Sequence, residues 1–458
     1  MARQVALPGG FAADVPPVRH GPALSVVGPR VQAVLAVLGV YLYSGAKLTL
    51  TAAPAAAEMG AVDPLNRLLQ LVVLGGCGLL ALLAGRPTLR AALRLWPYVL
   101  ILGLIVASAA WSVSPGHTLR RSLAMAALLA FVLATATQLG PVRLMRILLG
   151  TVLALALLSL LEAALRPAVG FDTGEYANAI RGVFPQKNVL GMALLFAAIA
   201  LSFLVLERGR LRWTDGAWLV GLLGMLVLAR STTSLVLTVA VAGLTVFILF
   251  VARGGLWAAA MALAAAVGAA AGLLAFTALG TEGLFDILGK DPTLTGRTPI
   301  WAALWDVAAQ RPLLGHGFAA FWLENARPVR GLTELVQWDV PNAHSGYLEV
   351  LLQLGWVGMA LVAVMAAHTL ALALRAAMAG QMGRALWAVM VLGILATINR
   401  TESVLLNPDF PMLFWLLAIV ALREGLRPMP PREAPSPDGF LARDGRGRPA
   451  PFIIRGRG

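Results

Sequence analysis

The sequence predicts an all-α membrane protein: a polytopic bundle of about twelve transmembrane helices with one long loop that carries an interfacial helix. Three observations predict it. Of 458 residues, 59% are hydrophobic and 13% are charged, with a mean hydropathy of +0.81; a soluble protein carries roughly 25% charged residues. The apolar residues fall into runs of membrane-spanning length. The basic residues gather on alternate loops. This composition excludes a water-soluble multidomain enzyme, and it excludes disorder except at the ends. A lone cysteine, Cys77, excludes an intrachain disulfide and a cysteine-based metal site.

A membrane helix needs about 20 mostly apolar residues. In order, the candidate runs are 31–50, 65–84, 96–111, 122–139, 144–165, 189–206, 217–229, 234–252, 256–279, 355–375, 385–398 and 410–422. Small residues, as between Ala264 and Ala271, suit close helix packing in lipid. The stretch from Thr51 to Ala57 resembles the small-residue cleavage site of a signal peptide. The long apolar run before it, beginning only after thirty residues, favours a retained first helix. Residues 1–30 and 425–458 are rich in Pro, Gly and Arg and read as disordered cytoplasmic ends.

The net charge of +14 first suggests nucleic acid. With twelve spans and an inside N-terminus, however, the inner loops and tails hold a balance of +15 and the outer ones −1. The excess therefore obeys the positive-inside rule and needs no nucleic-acid partner. It also places two hydrophilic links outside: 166–188 and the much longer 280–354.

Outward arginines are the cations that orientation leaves unexplained. They include Arg120, Arg121, Arg166, Arg181, Arg230, Arg297, Arg311, Arg327, Arg330 and Arg400, with Lys187. Arginine suits phosphate because its fork makes bidentate charge-assisted bonds, so several arginines near lipid would suit a polyprenyl pyrophosphate. The alternative is local pairing: Arg181 with Glu175, Arg400 with Glu402, Arg297 with Asp291. Thr298-Pro299 reads as a helix start. Ile300, Trp301, Leu304, Trp305 and Ala308 then recur at helical spacing, which predicts an interfacial helix with tryptophans at headgroup depth. The plainer reading is an amphipathic cover over the bundle, and the two are compatible. Arg297 stands at its N-terminal end, where free N–H groups favour an anion. His344, where the long loop re-enters the membrane, is either a general base for a sugar hydroxyl or a hydrogen-bonded structural residue. The five histidines show no metal-ligand spacing.

At this loop the sequence resembles the O-antigen ligase and polymerase family. The ligase signature of that family is His, then Asn, Ser or Gln, nine residues, Gly, two residues, and Gly, Thr or Tyr. Here it is His344-Ser345, nine residues, then Gly355-Trp-Val-Gly358. Upstream, Thr295-Gly-Arg-Thr-Pro-Ile-Trp301 followed by Pro312-Leu-Leu-Gly-His-Gly-Phe318 resembles another family stretch. Arg181-Gly-Val-Phe-Pro-Gln-Lys-Asn188 with Gly191 resembles exopolysaccharide polymerases of the ExoQ type. Ser231-Thr-Thr-Ser234 beside Arg230, and Thr401-Glu-Ser403 beside Arg400, fit the same group.

The resemblance implies a metal-independent glycosyltransferase of the GT-C-like kind in the bacterial inner membrane, with both ends cytoplasmic and its site on the periplasmic face. It implies an undecaprenyl-pyrophosphate-linked oligosaccharide as donor, a glycan as acceptor and no cofactor. A chain-length regulator and a flippase are expected partners. The residues it singles out are His344 and Arg297 for catalysis, with Arg181, Lys187, Asn188, Arg230, Arg400, Glu402 and Ser345 for substrate. It leaves polymerase and ligase open, with Gln186-Lys187-Asn188 favouring the polymerase. The rivals are a transporter or flippase, which predicts charge through the membrane midplane and an inverted repeat, and a scaffold subunit with no site.

Overall fold

A computed structural model of the chain describes residues 28–47, 64–173, 177–253, 297–323 and 342–425. The expectations for both ends, for run 256–279 and for Glu175, Asp291, Arg327 and Arg330 lie outside the described residues. Within them the chain is helical: α1 Pro29–Tyr43, α2 Pro64–Ala84, α3 Arg86–Arg94, α4 Trp96–Ala107, α5 Pro115–Leu165, α6 Pro167–Gly170, α7 Lys187–Arg208, α8 Trp213–Leu228, α9 Thr232–Arg253, α10 Arg297–Gln310, α11 Gly346–Met378, α12 Met382–Ile398 and α13 Phe410–Gly425. One isolated bridge, Phe171 to Ile180, is the extended pairing among these residues.

Each apolar run within the described residues falls on a helix. Two runs merge in α5, which breaks at Gly140-Pro141. Among the described residues five segments are long and apolar enough to cross a membrane: Pro115–Thr135, Gln138–Leu165, Lys187–Arg208, Thr232–Val251 and Gly346–Met378. Shorter apolar helices are Pro29–Tyr43, Trp96–Ala110, Trp213–Leu228 and Met382–Ile398. Large apolar side chains point outward, Leu82 at 80% and Val220 at 70% exposure, which on helices of spanning length suits contact with lipid. The protein is a polytopic membrane protein.

The centre of the bundle is α7, buried almost continuously from Leu190 to Leu206. Its small and apolar side chains let α5, α9, α12 and α13 approach. Two polar contacts bind α7 to its neighbours within the bundle rather than in lipid. The Trp387 indole donates to the Ile199 carbonyl at 3.0 Å, and the Ser202 and Thr245 hydroxyls bond at 2.6 Å. Phe196 stacks against Phe414 at 4.8 Å between ring centroids.

These contacts give the bundle two distinguishable ends. At the C-terminal end of α7, Glu207 takes a bidentate pair from Arg384 of α12 at 2.7 and 2.8 Å. Beside it Arg208 Nη2 donates to both carboxylate oxygens of Asp215 of α8, at 2.7 and 2.8 Å. At the other end lie the starts of α7, α9, α11 and α13 and the finishes of α8 and α12, together with the sequence motifs.

One feature departs from the sequence reading. The run expected to begin at Gly355 begins nine residues earlier, at Gly346, and Gly355 is a break inside α11 with φ +63°. The segment Pro312–Phe318 fills that break. The N–H groups of His316 and Gly317 donate to the carbonyls of Leu352 and Gln353 at 2.8 and 3.0 Å. The N–H groups of Trp356 and Val357 donate to Pro312 and Leu313 at 2.8 and 3.1 Å. The groups that the break takes from the helix ladder thus find partners in the loop. The link between α4 and α5 pins the same loop from its other side: Phe318 N–H reaches the Ser108 hydroxyl at 3.1 Å, and Thr118 donates to the Phe318 carbonyl at 2.8 Å.

Candidate active site

The centre of the site is the turn that starts α11. Ser345 caps the helix, its hydroxyl accepting the Leu348 N–H at 3.5 Å. His344 just before it is half-buried and lies in the left-handed region, φ +47°. That conformation costs a non-glycine residue about 1–2 kcal/mol and persists only where surrounding bonds enforce it. They are present. The His344 N–H donates to Asn342 Oδ1 at 2.9 Å, and the Ser345 N–H donates to the Ser403 hydroxyl at 3.2 Å. The Gly346 N–H donates to the Asn399 carbonyl at 2.9 Å. A side chain at Gly346 would occupy the place of the Asn399 amide, so the turns can touch only with glycine there.

The partner turn, Asn399–Ser403, joins α12 to α13 and carries Arg400 and Glu402. Asn399 is fully buried and ties its own turn, donating to Leu395 O at 2.8 Å and accepting from Val404 N at 3.3 Å. Arg400 is exposed and Glu402 is half-buried. The structure therefore brings His344, Ser345, Arg400 and Glu402 together, across 56 residues of sequence.

A second group assembles on the link before α7. Ile180 N–H bonds to Leu228 O at 3.1 Å, and Lys187 Nζ donates to the Arg230 carbonyl at 3.4 Å. Arg230 is exposed and, like His344, left-handed at φ +49°. Asn188 is exposed in the first turn of α7. The alternative partner of Arg181, Glu175, lies outside the described residues. Arg181 Nε donates to Val169 O at 2.9 Å and Nη1 to Pro185 O at 3.2 Å, so the residue staples its own loop. Arg166 pairs with Glu162 at 2.7 Å.

Arg297 is the first residue of α10. That helix covers the bundle: Ile300, Leu304 and Ala308 bury against Phe321, Ala343, Leu348 and Leu352. Trp301 is half-buried with its indole donating to Ala343 O at 2.9 Å, while Trp305 is exposed. This packing makes α10 a cover over the bundle, which is compatible with an interfacial position. His316 is structural: its ring reaches Val307 O at 3.3 Å, and burial, followed by the nearby Arg311, holds its pKa below the ordinary value while the Val307 bond opposes them.

Sequence reading missed Glu349. It sits in the first turn of α11 at 6% exposure. Trp322 Nε1 and Gln353 Nε2 donate to its Oε1 at 2.6 and 2.5 Å, and Ala343 N–H donates to Oε2 at 3.1 Å. The available signal was a lone carboxylate in an apolar run five residues after the motif histidine.

The fold and this end of it define a class: a polytopic helical membrane protein with a cationic, histidine-bearing site at one end of the bundle. Comparison with known proteins narrows it. Residues 216–363 match the family described as O-Antigen ligase. The chain is 26% identical over 264 residues to the exopolysaccharide production protein ExoQ of Rhizobium meliloti (strain 1021). That alignment covers 55% of this chain and 59% of the relative's length.

Proposed function

We propose that the protein is an inner-membrane glycosyltransferase that polymerises undecaprenyl-pyrophosphate-linked repeat units into an exopolysaccharide or O-antigen. The observation that carries this reading is the docking of the His344 turn on the Arg400-bearing turn, at the bundle end that also holds Arg230 and Lys187. In this reading the chain has about twelve spans, both ends are cytoplasmic, and the motif end faces the periplasm.

The chemistry follows from the geometry. Arg230 and Arg400, exposed and near helix ends, bind the donor pyrophosphate; Arg297, Lys187 and Asn188 add contacts, and Arg181 holds the loop that presents them. Pyrophosphate is a good leaving group, so the task is to position the reactants and stabilise departing charge. His344 takes the proton of the acceptor hydroxyl as the new glycosidic C–O bond forms and the bond from C1 to pyrophosphate breaks. Glu402 and Ser345 contact the acceptor sugar. No step requires a metal or cofactor. The acceptor is a second lipid-linked unit; a chain-length regulator and flippase are fitting neighbours.

The similarity of residues 216–363 to the O-Antigen ligase family favours a second reading, transfer of the glycan to lipid A–core or protein. One assay tests both. Purified full-length protein is given undecaprenyl-pyrophosphate-linked oligosaccharide isolated from a host lacking this gene. Long glycan on polyprenyl pyrophosphate marks a polymerase, and glycan on added lipid A–core marks a ligase. Release of polyprenyl pyrophosphate by neither route sinks the class. His344→Ala at full activity sinks the mechanism alone.

A further inference from the structure

We propose that Glu349 is a positioning residue for His344, holding from within the bundle the backbone turn that aims the imidazole. The assignment rests on the reading of His344 as acceptor base.

The bonds converge on the peptide groups that flank the histidine. On one side, Glu349 Oε2 accepts the Ala343 N–H at 3.1 Å, while Trp301 donates to the carbonyl of the same residue at 2.9 Å. Ala343 is fully buried between them. On the other side, the Ser345 N–H donates to Ser403 Oγ at 3.2 Å. That oxygen accepts, so its own proton is available to Glu349, with which Ser403 is hydrogen-bonded. One carboxylate thus fixes the residue before His344 directly and the residue after it through a hydroxyl. The His344 N–H itself goes to Asn342 Oδ1 at 2.9 Å.

The acceptor count requires a carboxylate. Oε1 receives two N–H groups and Oε2 one, and the carboxylate takes the Ser403 hydroxyl besides. A glutamine there would turn its NH2 toward either the Ala343 N–H or the Trp322 and Gln353 donors. Gln353 cannot flip to relieve the clash, because its Oε1 accepts the Ala319 N–H at 2.8 Å. A buried donor facing a donor is the arrangement that costs most. The network also ties the His344 turn to the Pro312–Phe318 loop and its neighbours Ala319 and Trp322. Glu349 is 6% exposed with both oxygens occupied, so it acts through His344 rather than on substrate.

The test uses detergent-purified full-length protein and the same lipid-linked donor, following polyprenyl pyrophosphate release from about pH 5 to 9 per mole of monodisperse protein. Glu349→Gln is expected to lower kcat by about 10–100-fold with the donor KM within about twofold, since misaimed catalysis leaves binding intact. The acidic limb of its pH profile stays where the wild type has it. Ser403→Ala is expected to lower kcat by about tenfold, with recovery in Ser403→Thr, which keeps the hydroxyl. The proposal is overturned if the variants reduce only the yield of folded protein while kcat per folded molecule is unchanged. It is also overturned if Glu349→Gln erases the acidic limb, because Glu349 is then the titrating group itself. Should Glu349→Gln fail to fold, the Ser403 pair decides. Full activity in His344→Ala refutes the base and the positioning role together; an inactive His344→Ala beside fully active Glu349→Gln and Ser403→Ala refutes the positioning role alone.

Discussion

Replacing Gly355 by alanine tests whether the break in α11 and the loop that fills it act as one unit. The residue has φ +63°, where an L-side chain costs about 1–2 kcal/mol. The added Cβ would overlap the carbonyl of Leu313. That carbonyl accepts the Val357 N–H at 3.1 Å, so relieving the clash withdraws the segment that supplies four backbone bonds. Each is worth about 0.5–1.5 kcal/mol net. Losing two of them in addition to the strain gives about 2–5 kcal/mol. The control is Gly393→Ala in α12, where an added Cβ meets nothing within 4 Å and exchange of a helical glycine for alanine stabilises by about 0.5–1 kcal/mol. The assay is the fraction of detergent-solubilised protein that stays monodisperse after heating, followed by donor turnover on what remains. Gly355→Ala is expected to lose several degrees of heat tolerance and to turn over slowly, because Gln353 anchors the loop and Glu349 alike. Equal heat tolerance and turnover in the two variants would refute the reasoning.

Other expectations follow from single contacts. Arg230→Ala and Arg400→Ala should each raise the donor KM by about tenfold, the scale of one charge-assisted bond. The lysine variants should recover part of it, a point charge replacing a fork; unchanged KM in initial-rate assays would remove these residues from the donor site. Glu207→Ala leaves Arg384, 8% exposed, without its bidentate partner, and should destabilise by about 2–4 kcal/mol. In heat-tolerance measurements the double variant with Arg384→Ala should lose less than the two single losses combined. His316 is held below its ordinary pKa by burial. The unfolded chain therefore takes up its proton first, and the contribution of this site is complete above the ordinary value of 6.5 and declines as pH falls below it. His316→Gln should flatten the loss of heat tolerance on acidification in that window; an unaltered acid slope would show that other groups set it.

Much of the helical pattern was legible because a membrane span needs only length and apolarity, and those are one-dimensional properties. Leu190–Leu206 reads as a span and is the buried centre of the bundle. The motif glycines were harder. Gly355 reads as the edge of a span because Glu349 and Gln353 precede it, yet the helix starts at Gly346 and those polar side chains turn into a network. No spacing along the chain reveals that Trp322, Gln353 and Ala343 aim three N–H groups at one carboxylate. Arg181 shows a second role the motif does not reveal: its Nε and Nη1 bond two carbonyls of its own loop. His344, Ser345, Arg400 and Glu402 were legible as motif residues, but their meeting depends on Gly346 admitting Asn399, which is a property of two turns 53 residues apart.

Exposed arginines stand at both ends of the bundle, Arg210, Arg212 and Arg375 among them where α7 finishes, so the contrast that bears on function is between held and exposed arginines at the motif end. Where α7 finishes, Arg384 grips Glu207 through Nε and Nη2 at 2.7 and 2.8 Å, so the fork that would hold a phosphate already holds a carboxylate. Arg208 meets both Asp215 oxygens through Nη2 alone, at 2.7 and 2.8 Å. Where α7 starts, Arg166 and Arg181 are occupied by Glu162 and by backbone carbonyls, but Arg230 and Arg400 are exposed. Arg230 stands in a left-handed turn that a glycine would adopt without strain. If that turn needed only its shape, Arg230→Gly would be stabilising and harmless to turnover. Both readings expect greater heat tolerance; the functional reading adds a weakened donor interaction, so a more heat-tolerant Arg230→Gly variant with an unchanged donor KM would remove Arg230 from the substrate site.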